Sequence, residues 1–193
     1  PIANGFFGYN IELSGDGTTV IIGGFNADMN SVTDSGLVQV WKWSGSQWDR
    51  LHDEDFFVGE ENDHAGWSVA INYDGTIIAY GAPENNDVET KSGKVRVWEW
   101  DGSQMNQLGS DINGEINTDH NNGDQIGQSL SLNGEGNILA IGSGYINNYY
   151  GGVRIYQRDT NATIGWTQIG NIVGPHANSR CGQDPECIIL NHV

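Results

Sequence analysis

Residues 64–108 read HAGWSVAINYDGTIIAYGAPENNDVETKSGKVRVWEWDGSQMNQL, and the rest of the chain is built on the pattern of this stretch. Apolar and polar residues alternate over short runs, as side chains on the two faces of a strand do. Turn residues such as Asp74-Gly75 and Asp101-Gly102 separate the runs, because glycine accepts a positive φ there. The stretch predicts no helix and four short antiparallel strands, at residues 67–72, 76–81, 94–100 and 104–108.

The chain repeats this pattern three times. A glycine opens each copy, at steps of 58 (66 − 8) and 61 (127 − 66) residues: Gly8, Gly66 and Gly127. An aromatic residue keeps the same register on each third strand: Trp41, Trp98 and Tyr156. Four antiparallel strands repeated in tandem indicate the blades of a β-propeller, whereas the structural alternative, a β-sandwich, predicts no such repeat.

We therefore expect an all-β chain of three four-stranded antiparallel β-propeller blades, at residues 1–62, 63–123 and 124–174, with a tail at 175–193. Closed propellers contain about 4–8 blades, so three do not close a ring. The ring is either incomplete in a piece of a longer protein, completed by other copies, or replaced by an open array. A start close to the first strand favours the first two cases. The β-prone segment 188–190 of the tail is a candidate strand for donation to a neighbour.

The composition limits what the chain can bind. Its 193 residues include 25 acidic and 8 basic side chains, which give a net charge of −17. Basic side chains are too few and too scattered to neutralise a phosphate backbone, so nucleic acid and anionic lipid are excluded as partners. No apolar run approaches the roughly 20 residues that span a bilayer, so no membrane insertion is predicted. Cations and neutral ligands remain.

Short motifs in the units resemble those of the FG-GAP family, whose repeats form the integrin α-subunit type of propeller. Phe7-Gly8 matches the Phe-Gly element, and Gly81-Ala82-Pro83 matches the Gly-Ala-Pro element. The phrase LGSDINGE at 108–115 is similar to one in extended repeats of proteins secreted by marine microbes and algae. The resemblance covers about residues 4–174 and implies an extracellular propeller. It departs from the family at Ala65-Gly66, Ile126-Gly127, Gly23-Gly24-Phe25 and Gly142-Ser143-Gly144.

A loop of the first unit has the residue types of a calcium loop. Oxygen-bearing side chains occupy positions 1, 3, 5 and 9 of residues 26–34, and a carbonyl is available at position 7. The loop is similar to that of FG-GAP blades, and the resemblance implies that Ca²⁺ is bound by the side chains of Asn26, Asp28, Asn30 and Asp34 and the carbonyl of Val32. Only two are carboxylates and Ser31 replaces the usual glycine, so we expect a Kd of about 10⁻⁴–10⁻³ M. The alternative is a plain polar turn.

The matching loops of the other units lose this pattern. Lys91 stands where the first unit has Asp34, since each lies two residues before an aligned glycine. The third loop contains asparagines but no carboxylate, so we predict that it binds no metal. A metal in the second loop would need a shifted register and the oxygen atoms of Asn85, Asp87 and Glu89.

Two cysteines and one sequon favour an extracellular or cell-surface location. A disulfide between Cys181 and Cys187 is favoured, because two cysteines with none left over suit an oxidising compartment. Zinc binding with the flanking histidines fits no common ligand spacing, and two free thiols are the remaining case. Asn161 begins an Asn-Ala-Thr acceptor for N-glycosylation on a predicted hairpin.

No catalytic constellation is found in the sequence. Histidines lie beside aspartates in the predicted inter-blade loops, but no serine or cysteine nucleophile stands near them in a matched motif: His52, His64 and His120. The recurring aromatic residues of the third strands are expected to pack between blades.

We therefore expect a non-enzymatic extracellular module for binding or assembly, in adhesion, a matrix or a filament, with a calcium-stiffened loop. Its partner would be a protein, a glycan or further copies of the chain. The alternative is a carbohydrate-binding propeller or an accessory domain of a secreted polysaccharide-degrading enzyme. Candidates for stacking on sugar rings are the tyrosines of the third loop: Tyr145, Tyr149 and Tyr150.

Overall fold

Three antiparallel sheets make up the fold, in a computed structural model that describes residues 5–52, 57–88, 90–116, 122–159 and 165–175. The first sheet contains β1 Asn10–Leu13, β2 Thr19–Gly24, β3 Leu37–Trp43, β4 Trp48–Arg50 and β5 Phe57–Val58. The second contains β6 Ser68–Ile71, β7 Ile77–Ala82, β8 Lys94–Trp100, β9 Met105–Gln107 and β10 Ile112–Asn113. The third contains β11 Ser129–Leu132, β12 Ile138–Ser143, β13 Gly152–Arg158 and β14 Trp166–Val173.

Each sheet is a four-stranded meander whose fourth strand is built in one of two ways. In the first two sheets it is split, so that β4 and β5 both pair with β3, and β9 and β10 both pair with β8. In the third sheet β14 is continuous and takes up a register shift opposite Ile155 and Tyr156. The predicted fold class is confirmed. These sheets are the blades of a β-propeller.

Asp-Gly steps form the turns between the first two strands of a sheet, as predicted. The Asp74 carboxylate accepts a hydrogen bond of 3.1 Å from the N–H of Thr76, and Gly75 has a φ of +71°. Asp16-Gly17 repeats this arrangement with Thr18. The left-handed backbone at the second turn position favours glycine, which explains why the Asp-Gly pair marks the hairpin.

The sheets stack face to face in chain order, and the core lies between them. We call the face that a sheet turns toward the preceding sheet its front face, and the opposite face its back face. At the first junction, the back of the first sheet packs on the front of the second through Ile21, Val38, Val40 and Phe57 against Val69, Ile71, Ile78 and Tyr80. At the second junction, Ala79, Val95, Val97 and Ile112 pack against Leu130, Leu132, Leu139 and Ile141.

Glycines allow the backbones of neighbouring sheets to touch at both junctions. A Cβ added to Gly23 would lie 2.1 Å from the carbonyl oxygen of Gly66, and one added to Gly81 would lie 2.1 Å from that of Gly127. These are the glycines that keep the repeat in register. The repeated glycines of the sequence therefore mark places where neighbouring blades are in close contact, as well as turns.

One helical turn, α1 at Ile146–Tyr149, departs from the prediction that the units contain no helix. Ile146 is buried and lies over Gly152, where a Cβ would come within 3.2 Å of its side chain. The turn thus packs an apolar side chain onto the start of β13. Within the described residues, no helix has the length and apolar character needed to cross a membrane.

Candidate functional site

One end of the stacked sheets gathers the loops that precede each third strand and the connections that lead from one sheet to the next. After the first sheet, the N–H of His64 donates to the carbonyl of Asp34 at 3.1 Å. The connection is thereby fixed to the loop of the preceding sheet. Three further bonds of the same kind and length are those of Ala65 to Ser35, Gln125 to Lys91 and Ile126 to Ser92.

The candidate calcium loop forms a tight hairpin at this end. Asn30 and Ser31 have φ values of +54° and +68°, and the N–H of Val32 donates to the carbonyl of Met29 at 2.8 Å across them. Two consecutive left-handed residues are typical of a type I′ turn. Asn30 is exposed at the tip, whereas Asn26 at the base is half-buried.

The two carboxylate residues of this loop are brought together. Asp28 is exposed, and its Oδ1 accepts the N–H of Asp34 at 2.9 Å. Its second oxygen and the neighbouring asparagine side chains are the kind of donors that a hard cation prefers. The donor set therefore fits Ca²⁺ in its chemistry, and a cation here would stiffen the loop to which the connection is fixed.

The second loop has the same backbone scaffold with different side chains. The Oδ1 of Asn86 accepts the N–H of Lys91 at 2.9 Å, as Asp28 does for Asp34. The Lys91 ammonium pairs with Glu84 at 2.8 Å. A cation already occupies the place of the aspartate, so the scaffold of this loop is kept by a hydrogen bond and an ion pair of the protein itself.

A polar latch ties the start of the second sheet to its own loop and the start of the third sheet to its own strand β13. The buried Asp63 accepts a hydrogen bond of 2.9 Å from the side chain of Asn85, which is also buried. In the third sheet, the buried Asp124 pairs with the guanidinium of Arg154. The sequence offered Asn85, Asp87 and Glu89 as metal ligands of the second loop in a shifted register. Of these, Asn85 is hydrogen-bonded to Asp63, and Asp87 forms an ion pair with Lys94. Glu89 lies outside the described residues.

The first sheet lacks this latch, and a cavity lies in its place. Gly5 corresponds to Asp63, since each lies three residues before an aligned glycine (8 − 5 and 66 − 63), and Ala27 corresponds to Asn85, since each lies four residues after one (27 − 23 and 85 − 81). Because glycine and alanine are smaller than the aspartate and asparagine that they replace, a cavity of about 660 Å³ opens there. It is lined mainly by apolar groups, from Gly5, Phe6, Phe7, Gly24, Asn26, Ala27 and Leu37.

Beside the cavity, four rings surround Phe25 and form with it an aromatic cluster of five rings. The centroids of Tyr9 and Trp67 lie 4.7 Å from that of Phe25, and those of Phe6 and His64 lie 5.3 and 5.7 Å away. Phe6 and Tyr9 are exposed. At the second junction, hydrogen-bonded glutamines occupy the places of His64 and Trp67: Gln125 and Gln128.

A half-buried carboxylate crosses the first junction. Glu12 on β1 accepts the N–H of Ile71 on β6 at 2.9 Å, and Asn10 accepts that of Val69 at 2.8 Å. Burial raises the pKa of Glu12 to about 7, and the hydrogen bond from Ile71 opposes this only in part. The carboxyl group therefore titrates near neutral pH at a contact between sheets.

An ion-pair network crosses the third strand and the end of the second sheet. Arg96 donates to both oxygens of Asp111 at 3.0 Å each, and the buried Lys94 lies 3.6 Å from the same carboxylate. Burial acts to raise the pKa of Asp111, but the hydrogen bond and charge of Arg96 outweigh it and hold that pKa below its usual value. The charges compensate one another and serve to hold the strands together.

The remaining site predictions fall in different places. His52 accepts the N–H of Val40 at 3.0 Å and packs its ring on Phe57, so its role is structural. Tyr145 and Tyr149 contact each other with centroids 5.2 Å apart. In the part of the chain that the structure describes, no three His, Cys, Asp or Glu side chains are grouped to hold a metal. Outside the described residues lie His120, Asn161, Cys181 and Cys187.

Comparison with known proteins assigns the chain to no family. No protein-family model and no curated protein matches the chain. Solved structures that it resembles include TolB from Acinetobacter baumannii, at 10% identity over 80% of this chain and 31% of that one, with a TM-score of 0.40. The Pseudomonas aeruginosa periplasmic gluconolactonase PpgL is 11% identical over 69% of this chain and 34% of that one, with a TM-score of 0.42.

A third structural neighbour is Kuenenia stuttgartiensis hydrazine synthase. It is 15% identical over 89% of this chain and 53% of that one, with a TM-score of 0.46. The chain thus spans less than two thirds of the length of these proteins. Identities and TM-scores this low carry no argument about activity, so the function must be argued from the residues themselves.

The latch and the aromatic cluster are the two features of this end that the sequence did not reveal. The latch aspartate follows a Gly-Glu pair in both connections, but at a spacing of 4 (63 − 59) in one and 10 (124 − 114) in the other. The extra residues hide the repeat. A search for Gly-Glu followed by a variable gap and Asp would have found it.

Proposed function

We propose that the chain is a non-enzymatic module for binding and assembly that works outside the cell and joins its neighbours through the faces of its blades. The support is an uncovered front face on the first sheet. Ile11 and Leu13 are 63% and 51% exposed, whereas Val69 and Ile71, at the same places on the second sheet, are 4% and 0% exposed. Within the described residues, the first sheet carries the apolar side chains of a junction and no sheet covers them.

The back face of the third sheet has the same character. Ile172 lies opposite Val153 in the sheet, as Phe57 lies opposite Val38 and Ile112 opposite Val95. Phe57 and Ile112 are buried at their junctions, whereas Ile172 is 55% exposed. Contiguous apolar patches of this kind mark interaction surfaces in soluble proteins.

The assembly proposal is tested by measuring association in solution. Sedimentation velocity of the 193-residue chain across a range of concentrations is expected to show self-association that weakens in Ile11→Asp. The substitution adds a charge at an exposed position, so the isolated chain should fold normally, as circular dichroism would check. Val88→Asp is the matched control, since Val88 is an exposed apolar residue of the second loop. Single chains at every concentration would contradict the proposal.

Calcium binding by the first loop is the second part of the proposal. Calorimetric titration is expected to show weak binding that is lost in Asp28→Ala and in Asp34→Ala, because each removes a carboxylate. Asn86→Ala is the matched control, because it removes the same kind of side-chain to backbone bond from the second loop. Equal heats in all four proteins would show that the loop is a plain polar turn.

Carbohydrate binding is the alternative function, and the aromatic cluster favours it. Exposed rings at the loop end of a propeller can stack on sugar rings, and Tyr9 and Phe6 are exposed there. A glycan array is expected to give a signal that falls in Tyr9→Ala and remains in Tyr150→Ala if the cluster is the site. The reverse result would assign the site to the tyrosines of the third loop, and no signal would remove this alternative.

A further inference from the structure

We infer that two copies of the chain join head to tail, with the front face of the first sheet of each copy packed on the back face of the third sheet of the other. The product is a closed ring of six sheets. The inference rests on the proposed function and names its partner, a second copy of this chain. The two internal junctions supply the template for it.

The side chains at the two uncovered faces match those of the internal junctions position by position. The back face of the third sheet has the uncharged Ser131 at the place of Ala70 and carries apolar residues at four places that are buried at the internal junctions: Ala140, Val153, Ile155 and Ile172. The front face of the first sheet does the same: Ile11, Leu13, Val20 and Ile22. No charge would be buried at these eight positions, so joining the faces removes apolar surface from water without leaving a charge unpaired.

The backbone at the two ends already has the conformation of a junction. At the internal junctions, a left-handed residue in the connection donates its N–H to a left-handed residue of the preceding loop, as His64 does to Asp34. The φ values of these two residues are +56° and +46°. The second junction repeats the pair with Gln125 at +49° and Lys91 at +52°.

The same two conformations are present at the uncovered faces. Phe6, at the place of His64, has a φ of +43°, and Tyr149, at the place of Asp34, has a φ of +66°. Left-handed φ is uncommon for bulky residues and carries strain. Both ends therefore hold the backbone in which an N–H of one copy meets a carbonyl of the other, with Phe6 donating to Tyr149 of the second copy.

The glycine contacts point to the same arrangement. Gly8 has a φ of +89°, close to the +84° of Gly66 and the +92° of Gly127, which touch Gly23 and Gly81 of the preceding sheets. A Cβ added to Gly8 would meet nothing within 4 Å. In a single copy, Gly8 therefore makes none of the close backbone contacts that Gly66 and Gly127 make with the preceding sheet. Gly142 stands on the third sheet where Gly23 and Gly81 stand on the first two, and it is the expected contact of Gly8 in the second copy.

Two copies are the number that closes the ring. The two uncovered faces differ from each other, so the contact is heterologous, and such contacts form a ring when the rotation closes or an open fibre when it does not. Closed propellers contain about 4–8 blades. Two copies give six blades, whereas three copies would give nine.

The test uses one charged substitution on each face. The wild-type chain is expected to sediment as a two-copy species, and Ile11→Asp and Ile172→Asp are each expected to weaken association by at least about a hundredfold, because each charge enters both junctions of the ring. An equimolar mixture of the two variants retains one unaltered junction, so native mass spectrometry should find two-copy species that contain one chain of each variant. Val88→Asp is expected to associate as the wild type does.

Each other result overturns the inference in a distinguishable way. Single chains throughout would overturn the proposed function as well. Association that is sensitive to Ile11→Asp but not to Ile172→Asp would show a front-to-front contact, and a ladder of larger species would show an open chain. Either of these, or a mixture without hybrid species, would overturn the closed ring and leave assembly through blade faces standing.

Discussion

Gly81 shows how a single missing side chain sets the distance between blades. A Cβ at this position would lie 2.1 Å from the carbonyl oxygen of Gly127 and 2.7 Å from the hydroxyl of Ser68. These two atoms are hydrogen-bonded to each other, since the hydroxyl of Ser68 in the second sheet donates to the carbonyl of Gly127, which leads into the third sheet, at 2.7 Å. Ser68 would have to give up this bond for any side chain to fit.

Gly81→Ala is therefore expected to lower the free energy of unfolding by about 1–3 kcal/mol, the range for an overpacked core. Urea denaturation of Gly81→Ala and of a control variant measures this loss of stability. Gly170→Ala is the matched control, because a Cβ there would lie 3.5 Å from Ile155, an ordinary contact distance. Equal unfolding midpoints for Gly81→Ala and the wild type would show that the sheets separate easily at this point.

Glu12 makes stability depend on pH. Its pKa is about 7 in the folded chain against an ordinary value of 4.5, so the folded state binds the proton more tightly. The resulting stability is fully present below pH 4.5 and is lost as the pH rises through 7, by about 3 kcal/mol in all. Glu12→Gln keeps an acceptor for the N–H of Ile71 and removes the titration.

The difference in pH dependence between the wild type and Glu12→Gln isolates the contribution of the Glu12 carboxyl group to stability. Urea unfolding midpoints at pH 5 and pH 8 should fall more steeply for the wild type than for Glu12→Gln, although the net charge of −17 lowers the stability of both as the pH rises. Glu61→Gln, at an exposed position, should retain the wild-type slope. Identical slopes in all three proteins would mean that Glu12 is ionised in the folded chain at pH 5.

The latch of the third sheet is expected to be the most sensitive polar contact between a connection and its blade. Asp124 and Arg154 are both buried, and Asp124→Ala leaves the guanidinium with the more exposed Glu115 as its ion-pair partner. Removing one member of a buried pair costs about 3–5 kcal/mol. Chemical denaturation should show a loss of this size.

A half-exposed ion pair provides the comparison for this prediction. Glu84→Ala removes the partner of Lys91 from the second loop and is expected to change stability by less than about 1 kcal/mol. Hydrogen exchange at the connection around residue 124 should increase in the first variant only. Similar losses in both variants would show that the latch contributes no more than a surface pair.

Local pattern predicted the strands well because alternation and turn chemistry are properties of neighbouring residues. The predicted strand at 94–100 coincides with β8, and that at 67–72 exceeds β6 by one residue at each end. The split of the fourth strand was not predicted. Gly109, with a φ of +83°, breaks the second sheet between β9 and β10, and nothing in the alternation distinguishes such a glycine from one in a hairpin.

The candidate site was harder to predict because it depends on which residues are absent. The cavity exists because Gly5 and Ala27 stand where other blades carry an aspartate and an asparagine. The aromatic cluster joins Phe6, Phe25 and Trp67, which are far apart in the sequence and meet only after the sheets stack. The metal ligands, the disulfide and the glycosylation site stay predictions.

The three-sheet stack ends in two apolar faces, and the net charge of the chain decides how readily they meet. Each copy carries a charge of −17, so two copies repel each other while their apolar faces attract. Repulsion between exposed charges is screened over about 30 Å at 0.01 M salt and about 3 Å at 1 M, whereas apolar burial is not weakened by screening. Added salt should therefore favour the two-copy ring.

We expect the dissociation constant of the two-copy species to fall roughly tenfold between 0.05 and 0.5 M NaCl, as measured by sedimentation equilibrium. A contact that depended on ion pairs between copies would show the opposite trend. Thermal unfolding of Ile11→Asp in the same salt series separates the effect of salt on a single chain from its effect on association. If salt weakens association while leaving that unfolding unchanged, charged groups rather than the apolar faces hold the copies together.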